Sequence, residues 1–231
     1  MTVPLAPPDY GSTAYLEAYS RINAMVIVGE GLADRHFRLL ARSIPEDRDE
    51  LERLAAMEGR HATDFVGCGR HLGIKPDGGL ARRLFAPLHQ LFLDCDRAGD
   101  LTGCLVIQCL IVESFAVAAY RSYLPVADAY ARPITAEVLN DEVLHLSYGE
   151  DWLRPRLLEV ADAVVACSKR AVPLALAMLE RLRPDLETIG IDPLALVGEF
   201  LACFQESLLA IGFSPARSRQ VLGELAVTAL V

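Results

Sequence analysis

Apolar residues recur along this chain at intervals of three and four, and nowhere with the sustained alternation of a strand. That rhythm predicts helices. The first is expected from Thr13 to about Ala41, with Ser12 placed to cap it. Ile44-Pro45-Glu46-Asp47 breaks and restarts the chain, because proline suits a first helical turn and acids favour its positive end. A second helix then stops before Gly73, Pro76-Asp77-Gly78-Gly79 reads as a loop, and a third helix covers Leu80 to Ala98. Gly99-Asp100 separates it from an apolar helix over Leu101 to Tyr123. Pro125 and Pro133 mark a bend with a short helical piece between them, and the next helix begins near Pro133 and ends around Leu153. Three more helices fit 156–182, 192–211 and 214–230, punctuated by Pro184, Pro193 and Pro215. No linker divides the chain. The pattern predicts one all-α domain over residues 13–231, with residues 1–12 a short disordered lead.

The 231 residues suffice for a generous core, and 52% of them are hydrophobic with few aromatics, which favours packed helices over a sandwich. Net charge is −9, against the basic patch that a nucleic acid requires. The N-terminal stretch has no basic region and no long apolar run, so it does not read as a secretory signal. Six cysteines (Cys68, Cys95, Cys104, Cys109, Cys167 and Cys203) show no C-x-x-C spacing and read as reduced thiols in a cytoplasm. Leu101 to Tyr120 is apolar and about 30 Å long as a helix, enough to cross a bilayer. It also carries Thr102, Gln108, Glu113 and Ser114. An ionised group inside lipid is expensive, so the segment reads as the central helix of a bundle.

Two short words carry the chemistry. Glu58-Gly-Arg-His61 and Glu142-Val-Leu-His145 each place a carboxylate three residues before an imidazole, on one helix face. Upstream, Glu30 and Glu113 each sit in apolar surroundings. Glu58 follows Glu30 by 28 residues, and Glu142 follows Glu113 by 29. Four carboxylates and two histidines in this order form the ligand set of a dinuclear site in a ferritin-like four-helix bundle, here with additional helices. A single Glu-x-x-His is commonly a solvated pair. Burying four carboxylates without cations, however, costs several kcal/mol each or forces protonation, and metal removes that cost for all four together. Hard oxygen donors with two imidazoles suit Fe(II), with Mn(II) as a substitute. By the habit of such sites Glu58 and Glu142 bridge, with Glu30 and His61 on one ion and Glu113 and His145 on the other. His36, His71 and His89 are read as surface or helix-capping residues.

The chain resembles the cyanobacterial aldehyde deformylating oxygenases, or fatty aldehyde decarbonylases. The resemblance lies in Ala18-Tyr-Ser-Arg-Ile-Asn-Ala, Asp47-Arg-Asp-Glu-Leu, Met57-Glu-Gly-Arg-His, Leu110-Ile-Val-Glu-Ser-Phe-Ala-Val-Ala-Ala-Tyr, Pro125-Val-Ala-Asp-Ala, Asp141-Glu-Val-Leu-His, Tyr148-Gly-Glu-Asp-Trp-Leu and Ile211-Gly-Phe. It is collinear from about Tyr15 to the C-terminus. Phe37, Gly31-Leu32, Ser114 and Gly59 depart from the residues expected in relatives, and none is a ligand candidate.

The resemblance implies a long-chain fatty aldehyde as substrate, two ferrous ions, O2, and electrons from ferredoxin and ferredoxin-NADP reductase. The products would be formate and an alkane one carbon shorter. An aldehyde-producing acyl-ACP reductase becomes a candidate partner, with peripheral membrane contact but no membrane span. An acyl chain needs an apolar channel ending at the metals. Met25, Val26, Gly29, Phe65, Phe115, Ala116, Ala119 and Tyr120 lie one turn from the ligands, with Phe85 on a neighbouring helix. Arg60 and Asp141 flank ligands in the two motifs and are expected to pair across the bundle and orient them. Competing readings of the same ligand set are a ferritin-like diiron hydroxylase and a ferroxidase or iron-storage protein.

Overall fold

A computed structural model describes residues 8–229 of the chain. Helix α1 spans Thr13–Ser43 and α2 Arg48–His71, with a 3-10 turn at Pro45–Asp47 between them; α3 spans Gly78–Ala98. Helix α4 covers 101–123, α5 Ala131–Leu153, α6 Leu157–Thr188, α7 Pro193–Ala210 and α8 Pro215–Ala229. Among the described residues there is no strand.

Local chemistry sets the ends. Ser12 accepts a hydrogen bond from the Tyr15 N–H, and Asp77, Asp100 and Asp192 serve α3, α4 and α7 in the same way. Gly99 closes α3 at φ 68°, a left-handed conformation that glycine adopts without strain. Of the expected lead, residues 1–7 lie outside the described residues. Residues 8–12 are not loose: Asp9 and Ser12 form a turn, and the Tyr10 hydroxyl donates to the Val126 carbonyl at 3.0 Å.

Helices α1 and α2 pack along one another, as do α4 and α5, and α2 faces α5. Short connections make each pair antiparallel, giving the four-helix core of the molecule. Helices α3 and α6 cover α1, while α7 packs on α4. The stretch Leu101–Val126 is apolar enough to cross a membrane by length and composition, yet 72% of its apolar 18-residue window is buried inside the bundle. Pro193–Ala210 passes the same test and is 39% buried.

Two features depart from the sequence reading. Pro184 does not end a helix; it lies within α6, which continues to Thr188. Pro184 and Glu180, whose carbonyl loses its donor, both face solvent, where water can substitute. The following turn is anchored because Asp185 accepts from both Nε and Nη2 of Arg21 and Leu186 is buried. The second feature lies in α4, where Val106–Val112 is a π-helix. Glu113 donates its N–H to the Gln108 carbonyl, and the face that follows is re-aimed at the bundle interior. Gly149 of α5 presses on this segment, and a Cβ there would collide with the Cβ of Cys109.

Candidate metal centre and apolar cavity

Each of the four core helices delivers one share of a polar cluster at mid-bundle. Helix α1 supplies Glu30, α2 Glu58 and His61, α4 Glu113, and α5 Glu142 and His145. All six are buried, Glu58 and His145 at 0% exposure. Their ligand atoms fall into two groups within 4.8 Å: Glu30, Glu58, His61 and Glu142 in one, Glu58, Glu113, Glu142 and His145 in the other. Either group could hold a metal ion, and Glu58 and Glu142 are common to both.

The imidazoles turn the same nitrogen inward. His61 Nδ1 lies 3.6 Å from Glu30, 3.3 Å from Glu58 and 3.4 Å from Glu142. His145 Nδ1 lies 3.0 Å from Glu58, 3.7 Å from Glu113 and 3.3 Å from Glu142. On its far side His61 Nε2 meets Asp141 Oδ2 at 3.1 Å. Two inward carboxylate oxygens, Glu58 Oε1 and Glu142 Oε1, are buried with no partner beyond the inward imidazole nitrogens. Such acceptors are expensive unless a proton or a cation serves them.

Electrostatics point the same way. Burial, with Glu58 and Glu142 adding repulsion, raises the Glu30 and Glu113 carboxyls well above their ordinary range. Burial disfavours charge on His61, but hydrogen bonds with Glu142, Glu30 and Glu58 outweigh it and push its pKa up to about 12. His145 is raised in the same manner by Glu113, Glu142 and Glu58. Burial opposes ionisation of Glu142 too, yet His145 and His61 hold it well below the usual carboxylate range. The site demands positive charge and takes it as protons. Hard oxygens and imidazoles around that demand fit a pair of divalent ions.

Two of these carboxylates are themselves held. The buried Tyr120 hydroxyl donates to Glu30, and Gln108 Nε2 donates to Glu113 Oε1 at 2.7 Å. Phe37 stands edge-on to His145 with ring centroids 5.5 Å apart. Ser114 is buried with its hydroxyl unpartnered, while Gly31 and Gly59 face open space.

An apolar cavity of about 90 Å³ opens onto the cluster. Glu30, Glu58, Glu113 and Glu142 form its polar end. Met25, Val26, Gly29, Phe85, Phe115, Ala116, Ala119 and Tyr120 line it. Phe65 does not; it lines an adjoining cavity that shares Ile22, Val26, Ala119 and Tyr120 with the first. The reading missed Leu179, Leu182 and Leu186 of α6 and Leu196 of α7, which close the far wall.

Other expectations need correction. Arg60 and Asp141 both border a surface depression beside His61, but no ion pair joins them. Arg60 is exposed, and Asp141 spends its carboxylate on His61. His36 is not a surface residue. It is buried, because Gln108 offers its ring a partner inside the bundle. His89 is half-buried against it, whereas His71 is exposed in the last turn of α2 and stacks on Tyr130. All six cysteines are buried free thiols.

The sequence profile of one family, described as long-chain fatty aldehyde decarbonylase, matches residues 12–231. Among solved structures, a protein from Synechococcus described as protein 19 with aldehyde deformylating oxidase activity is 58% identical. It superposes with a TM-score of 0.92, over 93% of this chain and 99% of that one. The ferritin-like all-α architecture, the paired carboxylate–histidine groups and this near full-length likeness converge: the chain belongs to the long-chain fatty aldehyde decarbonylase family.

Proposed function

We propose that this protein is an aldehyde deformylating oxygenase that converts a long-chain fatty aldehyde to formate and an alkane one carbon shorter. The observation that carries the reading is the apolar cavity, which ends on the carboxylates of the two metal-binding groups. The family and the Synechococcus neighbour support the aldehyde as substrate class.

Glu30 and His61 would hold one ion, Glu113 and His145 the other, and Glu58 and Glu142 would serve both; this assignment is supported by the membership of Glu58 and Glu142 in both groups. Fe(II) is the metal, with Mn(II) able to substitute. When bound, the pair supplies O2 activation and the Lewis acidity that polarises an aldehyde oxygen. The protein's part is binding and orientation. Aliphatic walls from α1, α4, α6 and α7 take up the chain and exclude water, leaving only the head group at the polar end. Asp141 accepts from His61 Nε2–H, which fixes the tautomer and keeps Nδ1 as the inward donor atom. Tyr120 and Gln108 each donate to a terminal glutamate and restrain its rotation.

Electrons come from a ferredoxin-type donor reduced through ferredoxin-NADP reductase. An acyl-ACP reductase is the partner that would supply so insoluble a substrate, in the cytoplasm and with peripheral contact to a membrane. The net charge of −9 agrees with a partner set that excludes nucleic acid.

Incubation of iron-loaded protein with octadecanal, a reducing system and O2, followed by gas chromatography, tests the reading. Heptadecane with matching formate is the expected result. An alcohol in their place would make the protein a hydroxylase, and ferric mineral with untouched aldehyde would make it a ferroxidase.

A further inference from the structure

Beyond the six carboxylate and imidazole side chains, the protein buries a second polar row that reaches them. From the inside outward, Gln108 Nε2 lies 2.7 Å from Glu113 Oε1, His36 Nδ1 lies 2.6 Å from Gln108 Oε1, and His36 Nε2 lies 2.8 Å from His89 Nδ1. Gln108 and His36 are buried, and His89 is half-buried on α3. The row thus crosses from α4 through α1 to the covering layer.

Its hydrogen-bond direction is fixed at one end. A carboxylate that holds a metal ion is ionised and only accepts, so Gln108 then donates to Glu113 through Nε2 and turns Oε1 toward His36. His36 Nδ1 then carries a proton, which leaves Nε2 as an acceptor for the His89 Nδ1–H. Each assignment forces the next. A neutral His36 is required, and its surroundings supply one. Burial lowers His36 to about 3 against the opposing Gln108 bond, and His89 and Arg35 disfavour its charge further. Burial and Arg35 lower His89 as well. Stacking holds the geometry: His36 lies 3.7 Å from Phe92 and 5.1 Å from His89, centroid to centroid. Three polar side chains in such a row would cost stability if any were left unpartnered. Their common end point is one oxygen of Glu113, whose other oxygen faces His145 Nδ1 at 3.7 Å.

We propose that His36 and His89 are positioning residues of the metal centre, which act through Gln108 to hold one Glu113 oxygen so that the other faces the ion shared with His145. This rests on the dinuclear reading given above. Partners of this outer kind are typically worth 10–100-fold in metal affinity. His36→Leu removes the donor to Gln108 and frees its amide to rotate. His36→Asn keeps an N–H near the Nδ1 position. His89→Leu removes the partner of His36 Nε2 at the half-buried outer end and leaves the His36–Gln108 bond in place.

The test is anaerobic titration of metal-free protein with Co(II), followed through its ligand-field bands, alongside equilibrium dialysis with Fe(II). Wild-type protein that takes up no metal pair would sink the dinuclear reading itself. With two ions bound by wild type, His36→Leu should weaken one of them roughly 10–100-fold and change its Co(II) spectrum, leaving the other ion unaltered. His36→Asn should recover most of that loss, and His89→Leu should show the same change in weaker form. Wild-type affinities and spectra in both His36→Leu and His89→Leu would overturn the inference alone. Should His36→Leu fail to fold, an unchanged His89→Leu overturns it by the same measure.

Discussion

Gln108 and Glu113 are hydrogen-bonded to one another at 2.7 Å although five residues separate them. On a regular α-helix five residues turn their side chains about 140° apart. The π segment Val106–Val112 closes that angle, since its bonding brings residues five apart onto one face. One extra residue in a turn therefore aims Glu113 into the bundle and gives it a buried donor. Gly149 makes room for that segment.

Gly149→Ala should destabilise the fold, because the new methyl meets the Cβ of Cys109 and not the movable end of a side chain. Overpacking of this kind typically costs about 1–3 kcal/mol. Urea unfolding of metal-free protein checks it; an unchanged midpoint would mean that α5 and the π segment can separate freely.

The shared glutamates should differ from the terminal ones. Glu142 belongs to both metal-binding groups and Glu30 to one. Glu142→Ala is expected to abolish stable binding of both ions, while Glu30→Ala leaves about one ion per chain, as metal analysis after desalting would read. Equal losses from the two variants would refute the bridging assignment.

Much of this centre was legible because its signals are local. The two Glu-x-x-His words and the two isolated acids, Glu30 and Glu113, mark by spacing the residues that gather in the two groups able to hold a metal, and proline and glycine punctuation sets most helix ends. What escaped depends on partners distant in the chain. Gln108 stood out only as a polar residue in an apolar run, and nothing local shows that it faces Glu113 through a π turn. His36 reads as a surface residue until Gln108 and His89 come beside it. The Arg60–Asp141 pair failed since opposite charges near two ligands do not reveal that His61 competes for the same carboxylate. Leu179, Leu182, Leu186 and Leu196 look like ordinary core positions; only tertiary packing turns them into a cavity wall.

Ala119 lines both adjoining cavities, so its size should set how long a chain they accept. Ala119→Phe is expected to shift preference toward shorter aldehydes, read from alkane products of a mixed-length substrate pool. An unchanged product distribution would remove Ala119 from the lining.

The acid–base state of the site couples stability to pH. Glu30 and Glu113 are raised well above 4.5, so the stability of their neutral forms is present below that value and is lost as pH rises. His61, raised from 6.5 to about 12, has the same sign: its contribution is complete below 6.5 and fades as pH approaches the folded value. Glu142 is lowered, with the opposite sign, but its window lies below 4.5. Metal-free protein should therefore melt at lower temperature as pH increases above 6.5. Metals need deprotonated ligands, so the rise in Tm on adding Mn(II) should grow over the same range. A Tm gain from Mn(II) that shrinks with pH would contradict this.

Anomalous diffraction from crystals grown anaerobically with Fe(II) addresses the pair of ions itself. Two peaks are predicted, one among Glu30, Glu58, His61 and Glu142, the other among Glu58, Glu113, Glu142 and His145. A single peak, or iron bound only at the surface while these six side chains keep their protons, would contradict the dinuclear centre and the oxygenase chemistry built on it.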